Sequence, residues 1–518
     1  MSKFATATKP AVSSFVRSTT PTLTHEGGAG YSRDAKSELF LLAVTNMVGE
    51  QTFYEGAANR DSRYERLIAQ VTAEDPDWIA RFVPYLRDTM NMRSASLVMA
   101  AEYVRAKGPN GRKVIDSALK RADEPAEMLG YWFSHYGKHY PQPVKRGIAD
   151  AAKRLYNERA ALKYAGDKGF RMADVIELTH PEPTAPWQSA LFEYLIAKRH
   201  NRERLDVSNL PTIAGRIALE NIPAEDRASV LAKGLPDGTT WEYASSWIGG
   251  KLDASFWEAM IPNMGYMALL RNLRNFDEAG VSDISAVTAK LTDPEEVVKS
   301  RQFPLRFLSA YKAVPSVRWH WPLEQAMNLS LANLPALKGH SLIMVDCSGS
   351  MVAPLSARSE LMRNEAAAAF GAALALRAET ATLLAFAETG VPVNVPKGGS
   401  VLPLAVLTSK ATTGGTRTMD VLASAYDGHD RVIILTDEQA FAPGGYTGYF
   451  GGFGARTVNV DNLLSKVTCP IYTFNLAGYE AGHLPSGVKN RHTFGGLSDA
   501  AFTALALLER GNDADWPF

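Results

Sequence analysis

Apolar residues follow helical spacing from about Ala35 to about Leu334. They recur every three or four positions, with almost no strand-like alternation, which predicts one helix after another. Asp75-Pro76 and Asp293-Pro294 mark two helix starts. An aspartate side chain can accept hydrogen bonds from the free amides of the first helical turn. Proline is tolerated in that turn because the amide proton that it lacks would have no partner within the helix. About three hundred residues of short helices favour a solenoid of stacked helix pairs over an irregular bundle of the same pairs.

The pattern changes near Lys338, where continuous apolar runs begin to alternate with helical segments. Four runs predict buried strands: Ser341–Asp346, Ala381–Ala387, Arg431–Asp437 and Ile471–Leu476. Three segments predict helices: Ser359–Glu379, Thr418–Ala425 and a final Ala500–Leu508, while Gly444–Gly454 reads as a loop. Strands alternating with helices predict a parallel, doubly wound α/β domain of the Rossmann-like kind.

The first 30 or so residues are rich in Ser, Thr, Ala and Gly and have little hydrophobic periodicity. Such composition is typical of a mobile terminus. The sequence therefore predicts three parts: a flexible tail over 1–34, an all-helical domain over 35–336, and an α/β domain over 337–518.

Composition limits the classes of protein to which this chain can belong. Hydrophobic residues make up 46% of the 518 positions and charged residues 21%, which excludes global disorder. The 55 basic and 55 acidic residues balance, so attraction to nucleic acid requires a local excess of charge. Two cysteines give no disulfide framework, which favours a reducing, cytoplasmic location. Apolar runs are too short for membrane insertion.

The strand that ends at Asp346 is followed by the motif Asp346-Cys347-Ser348-Gly349-Ser350. Ligands of parallel sheets collect at the carboxyl ends of strands. The spacing lets one carboxylate and two hydroxyls turn towards a single point, and oxygen ligands with little charge suit a hard cation such as Mg²⁺. The alternative is that these side chains only cap the next helix. Cys347 has no histidine base beside it, so a small buried apolar role is expected for it.

Two further oxygen donors follow at the right places in the chain. Thr416 lies in the loop Gly414-Gly415-Thr416, and Asp437 ends the strand RVIILTD. With Asp346 and its two serines they resemble the metal-ion-dependent adhesion site of von Willebrand factor A domains. The resemblance implies a divalent cation, with Mg²⁺ expected, whose coordination is completed by water or by a partner's acidic residue. Glu438 is an alternative to Asp437.

A basic segment runs from Lys138 to Arg171, with nine Lys or Arg against three acids. The local excess predicts a surface that contacts phosphates. The alternative is a ladder of ion pairs along one helix, since four residues of alternating charge are spaced four apart: Arg146, Asp150, Arg154 and Glu158. Aromatic residues beside this segment either stack unpaired bases or belong to the core: Tyr131, His135, Tyr136, His139 and Tyr140.

The run from Met264 to Phe276 is an amphipathic helix with Arg271 and Arg274 on its polar face. Together with Arg301–Phe307 it resembles the TROVE module of Ro-type RNA-binding proteins. The resemblance extends to the segments around Leu39–Tyr54 and Leu178–Pro181 and covers most of residues 35–335. The order, a helical module followed by a von Willebrand A domain, is also that of the family.

The resemblance implies a ring of HEAT-like helical repeats closed by the A domain. It also implies a central hole for single-stranded 3′ ends of misfolded RNA and an outer surface for small Y-type RNA. Lys163 and His180 stand where the family has outer-surface RNA contacts, whereas Asp167 replaces a basic residue. The candidate RNA contacts are Lys138, Lys145, Lys153, Lys163, Lys168, Arg171, His180, Arg93, Arg271 and Arg274. His180 and the four arginines Arg93, Arg271, Arg274 and Arg306 have a structural alternative.

The sequence therefore predicts a cytoplasmic, non-enzymatic RNA-binding ribonucleoprotein component that serves RNA quality control or scaffolding. Its expected partners are Y-type and misfolded RNA, with an exoribonuclease or another protein as a candidate at the metal site, and neither DNA nor membrane. The alternative is a metal-dependent adaptor whose helical array is a scaffold. A nuclease or hydrolase ranks last, because no clustered carboxylates or base-activated nucleophile are present.

Overall fold

A computed structural model describes most of the chain. The described residues are 16–25, 27–45, 52, 54–164, 169–202, 206–236, 239–300, 302, 304–333, 336–355, 359–440, 464–486, 490–496, 505, 516 and 518. They divide into two compact units: Met1–Leu67 with Leu291–Phe518, and Ile68–Lys290. Of the predicted elements, the loop at 444–454 and, apart from Leu505, the final helix at 500–508 lie outside the described residues.

The second unit is helical throughout its described residues. Its helices, with the two that cross its boundaries, are α2 (Ala57–Glu74), α3 (Pro76–Asp88), α4 (Arg93–Arg105), α5 (Gly111–Ala118), α6 (Glu124–Tyr136), α7 (Gln142–Leu155), α8 (Glu158–Tyr164), α9 (Met172–Thr179), α10 (Pro186–Arg199), α11 (Pro211–Glu220), α12 (Arg227–Lys233), α13 (Trp241–Ile248), α14 (Ala254–Met260), α15 (Tyr266–Glu278) and α16 (Ser285–Leu291). Helices near in sequence pack together, as α3 does with α4 and α7 with α9. The predicted helical repeats are confirmed, and ring closure stays a prediction.

Local signals position these helices. Asp75 accepts a hydrogen bond from the Trp78 amide at 3.1 Å, and Asp293 accepts one from the Glu296 amide at 2.9 Å. Both predicted caps are therefore present, and such a cap contributes about 1 kcal/mol. The helices bury large aromatic side chains between them, including Trp78 and Trp257, each 1% exposed.

The first unit contains a six-stranded sheet in the order β5-β4-β3-β6-β7-β8. Its strands are β3 (Leu337–Asp346), β4 (Ala378–Phe386), β5 (Gly390–Val393), β6 (Arg431–Thr436), β7 (Ile471–Asn475) and β8 (Arg491–Gly495). Only β5 runs antiparallel to its neighbour. The predicted doubly wound α/β fold is confirmed, although β5 and β8 were not predicted.

Helices cover this sheet. Those of the first unit are α1 (Ala35–Thr45), α17 (Pro294–Ser300), α18 (Pro304–Ala313), α19 (His320–Ser330), α20 (Arg363–Arg377), α21 (Val401–Lys410) and α22 (Thr418–Ala425). The alanine-rich α20 packs directly on β3. A methyl group at Gly371 would overlap the Val345 side chain, so only glycine allows this close approach. In this unit α1 also contacts β8, and α18 contacts α20, so the units divide the chain differently from the predicted boundaries at 34/35 and 336/337.

The N-terminal segment differs from the predicted flexible tail. Residues Ser18–Leu23 (β1) and Ala29–Arg33 (β2) form an antiparallel hairpin. The Tyr31 amide donates to the Gly482 carbonyl at 2.8 Å, and the Ser18 amide donates to the Ser486 carbonyl at 2.9 Å. These partners lie more than 400 residues along the chain, so no local periodicity signals the ordering. Residues 1–15 lie outside the described residues. No helix of the described residues is long and apolar enough to span a membrane.

Candidate metal centre and basic surface

Asp346 ends β3 at the carboxyl edge of the sheet and is fully buried. One carboxylate oxygen accepts a hydrogen bond from the Ser348 amide at 2.9 Å. The other accepts from the Thr436 hydroxyl, at the end of the neighbouring strand β6, at 2.6 Å. These two contacts fix the carboxylate at the point where β3 and β6 end side by side.

The predicted hydroxyl donors lie beside this carboxylate. The Ser348 and Ser350 hydroxyl oxygens are 3.3 Å apart, and both side chains are buried. The Gly349 amide donates to the Gly414 carbonyl at 2.9 Å, which brings the loop that carries Thr416 against the serine loop. Thr416 is 2% exposed. Residues separated by about 65 positions in sequence are thus placed at one edge.

Asp437, rather than Glu438, faces the centre. One Asp437 oxygen accepts from the Gln439 amide at 3.2 Å, while the other is buried without a hydrogen-bond partner among the described residues. Glu438 turns away in a left-handed backbone conformation, with φ of 62°. Its carboxylate pairs with Arg33 at 2.5 Å and accepts a hydrogen bond from the Asn475 amide group. The choice between the two acids therefore favours Asp437.

The two central carboxylates disfavour each other's charge. Burial raises the pKa of Asp346 to about 6, against the opposing effect of its hydrogen bonds to Ser348 and Thr436. Burial, followed by the charge of Asp346, raises the pKa of Asp437 to about 7. A cation bound by both carboxylates would neutralise their charges and take the place of the water lost on burial, so the two causes of the raised pKa values would disappear. An unpartnered Asp437 oxygen, a second carboxylate and three hydroxyls fit a hard divalent ion.

Sequence reasoning missed two residues of this centre. Thr436 holds the Asp346 carboxylate, and its position immediately before Asp437 was the available signal. Arg363, at the start of α20, is 5% exposed, and its charge lowers the pKa of Asp437. Nothing in its local sequence pattern distinguishes it from other arginines that begin a helix. Cys347 is buried, as predicted, and burial raises the pKa of its thiol to about 12.

The basic segment of the second unit spans the C-terminal end of α6, helix α7 and the start of α9. Lys138, Lys163 and His180 are exposed, whereas Lys145, Lys153 and Arg171 are partly exposed. Lys168 lies outside the described residues, as does Asp167. The Lys163 ammonium lies 5.3 Å from the centre of the Tyr164 ring, and His180 follows α9 in a left-handed conformation.

The acids of this segment do not form the ladder considered above. Asp150 pairs with Arg112 at 2.5 Å, and Arg154 pairs with Asp116 at 2.6 Å. Glu158 accepts a hydrogen bond from the Ile213 amide at 2.9 Å. Asp150 and Glu158 therefore bond to residues of other helices, and they do not pair with Arg146 and Arg154 along α7. Seven basic side chains of this segment have no ion-pair partner in the part of the chain that the structure describes: Lys138, Lys145, Arg146, Lys153, Arg159, Lys163 and Arg171.

Matches to known proteins place these features in a family context. The TROVE domain family matches residues 222–325. The RNA-binding protein RO60 of Deinococcus radiodurans is 24% identical over 450 residues, 80% of this chain and 83% of that protein. The telomerase protein component 1 of mouse is 43% identical over 191 residues, 35% of this chain and 6% of that protein. Residues 222–325 are therefore similar to the TROVE domain.

A solved structure shares the fold of this chain. The crystal structure of the Deinococcus radiodurans Ro (RSR) protein matches with a TM-score of 0.63 at 20% identity, covering 91% of this chain and all of that chain. The matched TROVE segment contains α15, where Tyr266, Leu269, Leu270 and Leu273 form the predicted buried stripe. Arg271 and Arg274 are exposed on the other side. Arg274 pairs with Glu278 at 3.4 Å, and Arg271 has no ion pair within the described residues.

Arg93 lies outside the matched TROVE segment and is engaged by acids. Its guanidinium contacts Asp123 at 3.0 Å, Glu124 at 2.9 Å and Glu127 at 2.5 Å. Glu124 is 1% exposed and also pairs with Arg87 at 2.8 Å. Three carboxylates on one guanidinium favour the structural alternative for Arg93 over its predicted RNA contact.

We expect Arg93→Ala to lower the free energy of unfolding by about 1.5–3 kcal/mol, because it removes a charged hydrogen bond from the buried Glu124. RNA affinity should change less than twofold. Urea unfolding and filter binding of the same preparation measure the two effects. Arg274→Ala, which breaks an exposed pair on α15, is the control and should leave stability nearly unchanged. A large loss of RNA affinity at full stability in Arg93→Ala would restore the predicted RNA contact.

Proposed function

We propose that this protein binds RNA as a component of a ribonucleoprotein. The observation that carries the proposal is the match to an RNA-binding Ro protein over 80% of the chain. The unpaired basic side chains around α7 support it independently, because affinity for RNA depends on phosphate neutralisation. In this proposal the RNA is a small Y-type RNA or a misfolded RNA with a single-stranded 3′ end, and the protein serves RNA quality control or scaffolding.

In this proposal the basic segment from Lys138 to Arg171 and helix α15 bind different parts of such an RNA. Lys138, Lys145 and Lys163, with Arg171 and His180, contact the phosphates of structured RNA. Arg271 and Arg274 take single-stranded ends. Phosphate contacts position an RNA without reading its sequence, so discrimination comes from shape and from unpaired bases. The resemblance to Ro-type proteins suggests this division, and each surface has its own test.

We propose a divalent cation, with Mg²⁺ expected, at the centre formed by Asp346, Ser348, Ser350, Thr416 and Asp437. When bound, the ion supplies positive charge that holds the ends of β3 and β6 together. Each proposed donor is at most 4% exposed, so the chain's own oxygens and water complete the coordination more readily than a partner's carboxylate does. This burial ranks the metal-dependent adaptor below RNA binding. Catalysis is not part of the proposal, and the cytoplasmic location stays a prediction.

Filter binding over a salt series tests the RNA proposal. Replacing Lys145 and Lys163 by alanine should weaken binding of a blunt RNA hairpin similarly across sequences, and the log–log salt slope should fall by about 1 for each lysine. Lys233→Ala with Lys251→Ala removes two exposed lysines elsewhere in the unit and is the matched control. Arg271→Ala with Arg274→Ala should weaken binding of a hairpin with a single-stranded 3′ end more than that of the blunt hairpin.

Two outcomes would contradict the proposal. An affinity that stays constant as salt rises would exclude phosphate contact. Equal losses in the Lys145/Lys163 and Lys233/Lys251 variants would show that the total charge matters and the surface does not. Protein purified from its host under native conditions gives a further check, since bound RNA should raise its absorbance at 260 nm and ribonuclease should remove that absorbance.

A further inference from the structure

Helix α6 carries two tyrosines, Tyr131 and Tyr136, that are held by one buried carboxylate of α4. The Tyr131 hydroxyl donates to a Glu102 oxygen at 2.8 Å, and the Tyr136 hydroxyl donates to the same oxygen. Glu102 is 7% exposed, while both tyrosine rings are partly exposed. Since a single acceptor holds both phenols, the orientation of the two rings is fixed before any ligand arrives.

Each tyrosine ring supports a second planar group that is exposed. The His135 imidazole stacks on Tyr131 with centroids 4.1 Å apart and an interplanar angle of 24°. The Arg105 guanidinium lies over the Tyr136 ring, 4.3 Å from its centre. The His135 Nδ1 lies 2.9 Å from the Tyr131 carbonyl oxygen and 2.9 Å from the Ser134 hydroxyl oxygen. The His135 imidazole and the Arg105 guanidinium are therefore each held in a defined orientation by a tyrosine ring.

The same surface is positively charged. Arg105 and Lys107 end α4, and Lys138 follows α6; all three are exposed. Within the described part of the chain none of them has an ion-pair partner. The carbonyls at the two helix ends favour cations there, and the cations in turn attract phosphate. The Glu102 carboxylate beneath the two tyrosines is buried and bonded to both phenols.

We propose that Arg105, Tyr136, Tyr131 and His135 form a stacking platform that binds unpaired bases of RNA. The inference rests on the proposed RNA function and names the part of the RNA that this surface takes. Unpaired bases stack on aromatic and guanidinium planes, whereas bases inside a duplex present no free face. The platform holds two exposed planes, on His135 and Arg105, each backed by a tyrosine. The exposed cations contact the phosphates of the same strand.

The test uses a 12-nucleotide single-stranded RNA carrying 2-aminopurine and a blunt hairpin of the same length without unpaired ends. Arg105→Ala with His135→Ala should weaken single-strand binding by at least about fivefold, which corresponds to the loss of about 1 kcal/mol, the lower end of the range for one stacked base. The quenching of 2-aminopurine on binding should disappear. Hairpin affinity should change less than single-strand affinity. Both side chains are exposed, so folding is preserved, and circular dichroism checks this.

Matched variants separate stacking from charge. His135→Phe keeps a stacking plane and should retain most of the single-strand affinity. Arg105→Lys keeps the charge but loses the plane, and should lose quenching of the base next to it. Trp187→Ala removes an aromatic side chain, 42% exposed, from α10 in the same unit and should have no effect.

The outcomes distinguish the platform from the proposed function. If the wild-type protein binds neither RNA, the RNA function fails and the platform fails with it. If the wild-type protein binds both RNAs and the Arg105/His135 variant keeps its affinity and its quenching, the platform alone is wrong. Equal losses for single strand and hairpin would show phosphate contact only, which would also overturn stacking.

Discussion

Replacing Arg33 by alanine is expected to lower the free energy of unfolding of the first unit by about 3–5 kcal/mol, the cost of leaving a buried charge unpaired. The Arg33 guanidinium pairs with Glu438 at 2.5 Å, and the two side chains are 1% and 0% exposed. It also donates to the Tyr479 carbonyl at 3.1 Å. Without Arg33, the Asn475 amide group remains as a hydrogen-bond donor to the buried Glu438 carboxylate. Hydrogen exchange of β6 and β7 during urea titration measures the loss.

The same arginine connects the N-terminal hairpin to the loop after Asp437. The His25 amide donates to the Gln439 side chain at 2.9 Å, and the Thr24 hydroxyl donates to the Ala440 carbonyl at 2.6 Å. Loss of Arg33 should therefore free β1 and β2 first. The amide hydrogens of β1 and β2 should then exchange faster than those of the parallel sheet, because a segment that unfolds locally loses its protection before the core does.

Arg112→Ala is the matched control for Arg33→Ala. It breaks an ion pair of the same type and length, with Asp150 at 2.5 Å, but the arginine side chain is 53% exposed. The expected loss is below about 1 kcal/mol. Arg33→Met with Glu438→Gln removes both charges and should recover part of the stability lost in Arg33→Ala. Equal costs for Arg33→Ala and Arg112→Ala would refute the anchoring role of the hairpin.

The central strands were predictable because their signal is local. A parallel strand covered on both faces carries a continuous apolar run, as β3 and β6 do in SLIMVD and RVIILT. β8 has the sequence RHTFG and is completely buried, although it contains polar residues. The Arg491 guanidinium, for example, donates to the Leu464 carbonyl at 2.8 Å and to the Val467 carbonyl at 2.6 Å, 27 and 24 residues earlier in the chain. Composition gives no warning of such a strand, nor of the N-terminal hairpin.

The residues of the candidate metal centre were likewise predictable only where their signal is local. Asp346, Ser348 and Ser350 share one turn, so their spacing alone brings their oxygens together. The structure confirms the proximity of Asp437 and the approach of the Thr416 loop, while the cation itself stays a proposal. Arg363 and Arg33 could not be predicted, since their partners are 74 and 405 residues away along the chain. For Arg93 the three ion pairs to Asp123, Glu124 and Glu127 favour the structural alternative, while its RNA contact stays a prediction.

Magnesium should stabilise the metal-free protein strongly at pH 8 and weakly at pH 5. The pKa values of Asp346 and Asp437 are raised to about 6 and about 7, above the value of about 3.9 in an unfolded chain. The folded state therefore holds extra protons in this window, and stability falls as pH rises from about 4 to about 7. Cation binding needs both carboxylates deprotonated. The stabilisation by Mg²⁺ should therefore grow as the pH rises from about 4 to about 7. It should reach about 2.7 kcal/mol when the free Mg²⁺ concentration is one hundred times Kd.

Asp437→Asn isolates the cause of that pH dependence. It removes one buried charge, so the decline in stability between pH 4 and pH 7 should become shallower, and added Mg²⁺ should no longer raise the melting temperature at pH 8. Asp427→Asn, at the opposite end of β6, is the control and should keep both effects. Titration calorimetry with MgCl₂ measures affinity directly. Asp346→Ala should bind at least tenfold more weakly, because the one carboxylate held by both β6 and the serine loop is gone; full cation affinity in that variant would refute the metal centre.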